Sequence, residues 1–525
     1  MRPVVWRPPA EPSAAEQAVI KALRRAKLFV FLRLHRHELF DEEFQAELAE
    51  TYADSPKGQP PVPPARLALA TILQACAGVS DDEVIEATVM DRRWQLVLDC
   101  MDADAPPFAK GTLAGFRKRL IEAGLDRRLV ERTVALAART GGFGAGALRA
   151  ALDWSPLWGA GRVEDTFNLM GHALRKALGV IAVSQGRGQA AGTAIVAAQA
   201  GAGQLAASSL KAALDRDWDD PAARDAALAQ VLGLLDQVEA FVAGYAGDQA
   251  AASAVAVARQ VRDQDVDLAG AAPSLRRGVA KDRRISVEDA QMRHGRKSRS
   301  VLFDGYKRHV LRDLDTGLIP AVGITPANVP EAAVTSDISA DLDAAGLRLA
   351  ELHIDRACLS SGLVRDRGPD LAIYCKAWTV RNTTGRYAKN QLTIDFGAGQ
   401  LTCPAGVNMG FRPGATVHFP EHTCAACPLR ERCTASSSGR SVSIHPGEAL
   451  LAELRQRQQT VAGRADLRER VKVEHALAHV GHWQGRRARY RGTRKNLFDL
   501  RRVAVVHNLH VIARQPATGG HQLAA

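Results

Sequence analysis

The chain has 525 residues, of which 46% are hydrophobic and 24% are charged. This composition excludes a globally disordered chain, and the length predicts three or four domains. The net charge of +12 favours a polyanionic partner, either nucleic acid or an anionic membrane surface. We expect no membrane span and no signal peptide, because no stretch holds about 18 strongly apolar residues and no apolar region follows Met1. The expected location is the cytoplasm.

Positive charge is concentrated in two segments. Residues 281–312 hold ten Lys and Arg against four Asp and Glu, and residues 451–514 hold fifteen against five. Local basic blocks are typical of phosphate contacts, with a solvated surface as the alternative. The charge pattern therefore predicts a protein that binds nucleic acid.

Residues 1–140 predict a helical domain that either binds DNA or only packs. Six segments show helical apolar spacing: 14–27, 37–52, 65–76, 81–98, 113–123 and 128–138. Ser80 and Glu83 form a capping-box pattern, and Thr112 is a candidate N-cap. A stiff Pro-rich linker is expected at 56–64.

The remainder alternates between strand and helix. Predicted strands cover 148–153, 301–312, 318–325, 347–355 and 370–375. The first strand ends on Asp153 and the fourth on Asp355. Residues 177–280 are Ala-rich and predict packed helices, and a last helix is expected at 497–512.

Four cysteines lie close together in a short-stranded region. Cys403, Cys424, Cys427 and Cys433 have the spacing C-x20-C-x2-C-x5-C. Thiolates in such a pattern favour a structural Zn²⁺ site with four protein ligands. The alternatives are that His422 replaces Cys403 as a ligand, or that the four are unrelated buried thiols.

Several strings stand out along the chain. They are Pro63-Pro-Ala-Arg66 with residues 111–120, Leu152-Asp153 with Trp158-Gly-Ala-Gly-Arg162, Met292-Arg-His-Gly-Arg-Lys297 with Phe303-Asp-Gly-Tyr-Lys-Arg-His309, the cysteines at 424–433, and Arg470-Val-Lys-Val-Glu-His475 with residues 486–492. Together, from about residue 65 to 512, they resemble the DDE transposases of bacterial insertion sequences.

The resemblance implies an α/β fold. Its centre is an RNase H-like core, a mixed sheet with flanking helices, joined to an all-α N-terminal domain, an Ala-rich helical insertion and a small β-rich zinc-knuckle insertion. The implied boundaries are 1–140 for the N-terminal domain, 145–176 and 281–377 for the first parts of the core, 177–280 for the helical insertion, 378–445 for the cysteine insertion, 446–515 for the last part of the core and 516–525 for a disordered tail.

The resemblance also implies a catalytic site. Asp153, Asp355 and Glu474 match the three acids, which would bind Mg²⁺ or Mn²⁺, and Arg470 matches the arginine of the Y-R-E-K signature. The signature is partial, because Leu467 stands at its tyrosine position and Gly481 at its lysine position. The alternatives are Glu164 or Asp165 as the first acid, a turn role for Asp355 beside Arg356, and Asp466 or Glu469 as the third acid.

The implied function is DNA transposition. Such a transposase binds element ends, cleaves phosphodiester bonds by two-metal carboxylate catalysis and transfers the 3′-hydroxyl end to target DNA. Its partners would be double-stranded DNA and a second copy in a homodimer. Expected DNA contacts are Lys297, Lys307, Arg308, Trp378, Arg486, Arg487, Arg489 and Arg491. Trp378 either stacks on a base or belongs to the core of the small β-domain. The rival functions are a catalytically silent DNA-binding regulator and an RNase H-like nuclease without strand transfer.

Overall fold

A computed structural model describes residues 2–54, 58–140, 147–245, 247–270, 272–380 and 385–515. The predicted tail at 516–525 and part of the predicted Pro-rich linker lie outside these residues.

Eight helices form the described part of the N-terminal region. They are α1 (Ala14–Ala22), α2 (Lys27–Leu39), α3 (Glu42–Ala49), α4 (Pro64–Ala77), α5 (Asp81–Met90), α6 (Arg92–Leu98), α7 (Lys110–Glu122) and α8 (Asp126–Arg139). The predicted capping box at Ser80 and Glu83 is confirmed. The predicted N-cap at Thr112 is wrong, because α7 begins two residues earlier. The single helix predicted at 81–98 is two, since Asp91 takes an extended backbone conformation, ends α5 and caps α6.

A long strand and a helical insertion follow. They comprise β1 (Leu148–Trp158), α9 (Thr166–Ser184), α10 (Gln189–Gln199), α11 (Leu210–Leu214), α12 (Pro221–Ala243), α13 (Gln249–Asp265) and a short hairpin of β2 (Val266–Asp267) and β3 (Ser274–Leu275). The helices pack around their own apolar core, which includes Leu174, Leu178 and Val255. Among the described helices, α12 has the length and composition to cross a membrane, but its Val231 and Leu235 side chains are buried in this core.

The central sheet has six strands. To β1 it adds β4 (Arg293–Arg296), β5 (Leu302–Asp313), β6 (Ala321–Pro326), β7 (Leu349–His353) and β8 (Ala372–Tyr374). Strand β5 is antiparallel to β1, β4 and β6, whereas β7 is parallel to β1 and β8 is parallel to β7. Helices α14 (Thr335–Ala344) and α15 (Gly362–Arg365) follow β6 and β7. A mixed sheet of this order with flanking helices is compatible with an RNase H-like core.

The cysteine-rich region is made of short elements. It contains β9 (Thr393–Asp395), β10 (Gln400–Thr402), β11 (Asn408–Gly410), β12 (Thr416–His418), α16 (Glu421–Ala425), α17 (Arg430–Cys433) and β13 (Ser441–Ser443). Strands β9 to β11 form one small sheet and β12 pairs with β13. The chain then forms α18 (Glu448–Arg457), α19 (Val461–Glu469), α20 (Val471–Gln484) and α21 (Thr493–Ile512).

Helix α21 joins the N-terminal helices to the sheet. It packs against α4, α8 and β6, and the apolar core there includes Leu69, Leu129, Ile319 and Val506. Asn508 is fully buried at this junction. Its side-chain amide donates to the Thr133 hydroxyl and the Ile319 carbonyl, both at 3.0 Å, and its side-chain carbonyl accepts from the Ile319 N–H at 2.7 Å. The N-terminal helices and the sheet therefore share one core.

Candidate functional site

Asp153 lies within β1, opposite Val310 of β5. The predicted end of the strand at Asp153 is wrong, because pairing with β5 continues to Trp158 opposite Gly305. The two strands approach closely there: a Cβ at Gly305 would lie 2.2 Å from the Leu157 carbonyl oxygen. On its other side β1 pairs with β7, and this pairing ends at Ala151 opposite His353. Asp153 lies two residues beyond that last pair.

Asp355 follows β7 at the same edge. Asp153 and Asp355 each lie two residues beyond the Ala151–His353 pair of two parallel strands. Parallel strands run to the same edge, so this register brings both acids to one side of the sheet. Asp355 caps a one-turn 3-10 helix, and its carboxylate accepts from the Arg356 backbone N–H at 2.6 Å. The Asp355 carboxylate therefore stabilises this turn, and it follows the strand that is parallel to β1.

Glu474 lies in the first turn of α20, which packs against β1 and β5. Arg470 precedes this helix and contacts two of the three acids. Its Nη1 donates to Asp153 Oδ2 at 2.8 Å, and its Nη2 lies 3.9 Å from Glu474 Oε1. One guanidinium thus bridges an acid on the sheet and an acid on the helix.

The three carboxylates differ in environment. The Asp153 side chain is 10% exposed and that of Glu474 is 56% exposed. Burial raises the pKa of Asp153, and Glu474 adds to this increase. Arg470, the Trp154 backbone N–H and Lys297 oppose it. The two cations thus favour the ionised form of Asp153, which is the form that binds a metal.

The alternative acids have other partners. Glu164 is buried and pairs with His172 at 2.7 Å, and Asp165 caps α9. Glu469 pairs with Lys472 at 2.6 Å, and Asp466 adds to the raised pKa of Tyr374, which burial mainly causes. Glu164, Asp165 and Glu469 therefore have structural roles in ion pairing and capping.

The donor set fits a divalent cation chemically. Within the residues that the structure describes, no three His, Cys, Asp or Glu side chains are grouped closely enough to hold a metal ion. Asp153, Asp355 and Glu474 nevertheless supply the hard oxygen donors that Mg²⁺ and Mn²⁺ prefer. The position of Arg470 further indicates that two of these carboxylates can share one positive group.

The four predicted zinc ligands line a common pocket. Cys403, Cys424, Cys427 and Cys433 all face it, whereas His422 is not among its lining residues. Burial raises the pKa of Cys433, and the other three thiols add to this increase. The absence of a metal-binding group among the described residues includes these cysteines, so zinc binding stays a prediction.

The predicted arginine run forms the loop between α20 and α21. Arg486, Arg487, Arg489 and Arg491 are exposed. Arg487 donates to the Gly159 carbonyl at 3.2 Å, Arg489 donates to the Gly78 carbonyl at 3.2 Å, and Arg491 pairs with Glu288 at 2.8 Å. The loop is therefore fixed to neighbouring segments while its arginines still reach solvent.

Two predicted DNA-contact residues of β5 lie inside the protein. Lys307 is 7% exposed and Arg308 is 5% exposed. The Lys307 ammonium donates to the Val329 carbonyl at 2.8 Å, and Arg308 donates to Ser155 Oγ at 2.7 Å and the Gly485 carbonyl at 2.9 Å. Their expected DNA contact stays a prediction, and the contacts indicate internal support of the sheet and of the arginine loop.

Trp378 lies near the second acid. Its side chain is 47% exposed, which argues against the alternative of a buried core tryptophan. The Arg356 guanidinium lies 5.8 Å from its ring centre, and Arg356 directly follows Asp355. The exposed ring is therefore placed beside the turn that Asp355 caps.

Two residues near the acids, Trp154 and Glu331, were not predicted from the sequence. Trp154 follows Asp153 and is 6% exposed. Glu331 begins a one-turn 3-10 helix that packs against the Asp355 turn. The adjacency of Trp154 to Asp153 was a usable signal, whereas no local pattern marks Glu331.

Two family models match the chain. The model described as Transposase domain (DUF772) matches residues 26–119, and the model described as Transposase DDE domain matches residues 402–513. The second match includes Arg470, Glu474 and the arginine loop. No curated protein and no solved structure matches the chain. The two family matches support a DDE-type transposase of an insertion element, the class that the sequence motifs predict.

Proposed function

We propose that the chain binds the terminal inverted repeats of an insertion element, cleaves the DNA there and transfers the freed 3′-hydroxyl to target DNA. Two observations support this proposal, one for each pair of neighbouring acids. The register of β1 and β7 aligns Asp153 with Asp355, and Arg470 links Asp153 to the helix that carries Glu474.

In this proposal, Asp153, Asp355 and Glu474 hold Mg²⁺ or Mn²⁺. When bound, the divalent cations supply activation of the attacking oxygen and stabilisation of the leaving oxygen. Arg470 orients the Asp153 carboxylate through its hydrogen bond and favours its ionised form.

We assign the DNA phosphate contacts to the exposed loop that precedes α21. Its Arg486, Arg487, Arg489 and Arg491 project four positive groups next to α20, where they attract a polyanion. Trp378, exposed beside the Asp355 turn, is assigned to stacking on a base that leaves the duplex.

The remaining assignments concern stability and assembly. Zn²⁺ at Cys403, Cys424, Cys427 and Cys433 stabilises the small β-region, whose apolar core has only six buried residues among those described. Two copies act together, because two element ends must be held at once. The reaction takes place in the cytoplasm, on double-stranded DNA.

Cleavage of a plasmid that carries the source element tests the proposal. Wild type, Asp355→Asn and the control Asp370→Asn are compared in Mg²⁺ and in Ca²⁺. Asp370 is an exposed acid before β8. We expect wild type and control to cut the element ends in Mg²⁺, and Asp355→Asn to bind the ends but cut them more slowly by roughly two orders of magnitude or more.

The other functions give different results. Cutting without joining of precut ends to target DNA would identify a nuclease. Specific end binding without cutting in any metal would contradict the proposal and favour a DNA-binding regulator.

A further inference from the structure

Lys297 lies beside the first acid, on the turn after β4. Its ammonium donates to the Trp154 carbonyl at 3.0 Å and lies 4.2 Å from the centre of the Trp154 ring. The Lys307 ammonium lies 4.9 Å from the same ring centre. A cation over an indole face is attracted by the ring's quadrupole, so Trp154 holds Lys297 next to Asp153.

Lys297 and Lys307 differ in access to solvent. Lys307 is 7% exposed and its ammonium bonds to the Val329 carbonyl, whereas Lys297 is exposed. An ammonium has three N–H donors. The Trp154 carbonyl and the ring occupy two sides of Lys297, which leaves a donor for an external anion.

The two cations near Asp153 come from different elements of the fold. Arg470, at the start of α20, donates to the Asp153 carboxylate, and Lys297, from the β4–β5 turn, donates to the carbonyl of the next residue, Trp154. A phosphate that approaches three carboxylates meets strong repulsion unless fixed cations compensate it. Lys297 supplies such a cation from a different element of the fold.

Glu331 supports this arrangement. Burial raises its pKa, while Lys307, a hydrogen bond from the Trp154 side chain and Lys297 lower it. The carboxyl group therefore lies close to the indole ring and to both lysines. Because its 3-10 helix packs against the turn that follows Asp355, Glu331 links the Lys297–Trp154 pair to the second acid.

We propose that Lys297 contacts a non-bridging oxygen of the phosphate that is cleaved at Asp153, with Trp154 and Glu331 as positioning residues. This inference rests on the proposed function and adds a residue to its site. The ammonium neutralises charge on the phosphate, and the ring restricts its position, so little reorganisation is needed when DNA binds.

The first experiment compares Lys297→Ala, Lys297→Arg and the control Arg299→Ala, an exposed residue of the same turn. We expect Lys297→Ala to lower the single-turnover cleavage rate by about 100-fold, Lys297→Arg to restore part of it, and Arg299→Ala to match wild type. Cleavage by Lys297→Ala at the wild-type rate would overturn the inference.

The second experiment measures binding and needs no cleavage. End DNA with a neutral methylphosphonate at the scissile position is compared with unmodified DNA in Ca²⁺. Both proteins should lose affinity, because the bound cations also face this phosphate, but Lys297→Ala should lose several-fold less than wild type, since its own contact is already gone. Equal losses in both proteins would also overturn the inference, and this result holds even if Lys297→Ala is less stable.

The proposed function and the role of Lys297 can be contradicted separately. Wild-type cleavage that is lost in Asp355→Asn but kept in Lys297→Ala contradicts only the role of Lys297. Cleavage that persists in Asp355→Asn contradicts the proposed function, and the role of Lys297 fails with it.

Discussion

The guanidinium of Arg470 lies 2.8 Å from the carboxylate of Asp153, although the two residues are 317 positions apart in the chain. The contact joins β1 to the start of α20, the helix that carries Glu474. Asp153 is mostly buried, so an unpaired charge there would be costly. Arg470 is therefore expected to govern the ionisation of Asp153.

Replacement of Arg470 should change the pH dependence of DNA cleavage. Burial raises the pKa of Asp153 and Arg470 opposes this effect, so Arg470→Gln should raise the pKa further. The ionised carboxylate then forms only at higher pH, so the acidic limb of the rate profile shifts to higher pH. Single-turnover rates between about pH 5 and pH 9 measure this shift.

Arg470→Lys is the matched control for this shift. It keeps a positive charge near Asp153 and should show a smaller displacement of the acidic limb. An acidic limb of Arg470→Gln that coincides with that of wild type would contradict the assigned role.

Replacement of Arg117 should lower stability in a pH-dependent way. Hydrogen bonds from Arg117 in α7 lower the pKa of Asp81, at the start of α5, to about 2. Because the folded pKa is below the unfolded value, the stabilisation is present above about pH 4 and is lost as the pH falls toward 2. We expect Arg117→Gln to lower the free energy of unfolding by about 1 kcal/mol at neutral pH, after allowance for solvent screening.

Urea denaturation at neutral and acidic pH tests this expectation. The difference from wild type should shrink at acidic pH. Lys118→Gln is the control, since Lys118 is 75% exposed and its nitrogen lies 3.8 Å from Glu122. An equal loss at both pH values would exclude the Asp81 carboxylate as the cause.

Zinc content should depend on the cysteine pocket. We expect about one Zn²⁺ per chain in protein purified without chelators, and loss of the metal in Cys424→Ser and Cys427→Ser. Cys100→Ser should keep it, because Cys100 packs against the N-terminal core, outside the pocket. Elemental analysis measures the ratio, and an unchanged ratio in the two variants would refute the site.

Chelation gives a second measurement of the same site. Removal of the metal should increase proteolytic cleavage within residues 385–445, because a structural zinc site contributes to folding. Cleavage elsewhere in the chain should stay as it was.

Loss of two loop arginines should weaken DNA binding in a salt-dependent way. Arg486→Ala with Arg487→Ala removes two exposed positive groups. The slope of log K against log salt concentration should become shallower by about 1.8 if each contacts one phosphate of B-DNA. Arg259→Ala is the comparison, since Arg259 pairs with Glu239 in the helical insertion; its slope should not change. An unchanged slope in the double variant would indicate that neither arginine contacts a phosphate.

The sequence predicted the central elements well. Strands β5, β6, β7 and β8 lie within a few residues of their predicted ranges. Three of them, β6, β7 and β8, are short runs bounded by turn residues. The position of Asp355 after a strand was also predicted correctly. The end of β1 was not, since its extension to Trp158 depends on pairing with β5, about 150 positions away.

Burial of charged side chains was the main limit of the sequence analysis. Lys307 and Arg308 look like surface residues in a basic string, but β5 is central in the sheet and both have partners from distant segments. Arg33 and Arg36 likewise lie buried in α2, a helix that the analysis did not predict. Such partners cannot be read from local spacing, because apolar periodicity carries no information on ion pairing.

The buried Asn508 also bears on whether a truncated chain can fold. It ties α21, the last helix of the described chain, to Thr133 of α8 and to the Ile319 backbone. The ribosome releases α21 after all the segments that it covers, so their apolar surfaces stay open until translation is nearly complete. A frameshift or stop codon before Thr493 removes the closing piece of this core. We expect such a truncated chain to stay unfolded and to be degraded by proteases, and not to persist as a shortened folded protein.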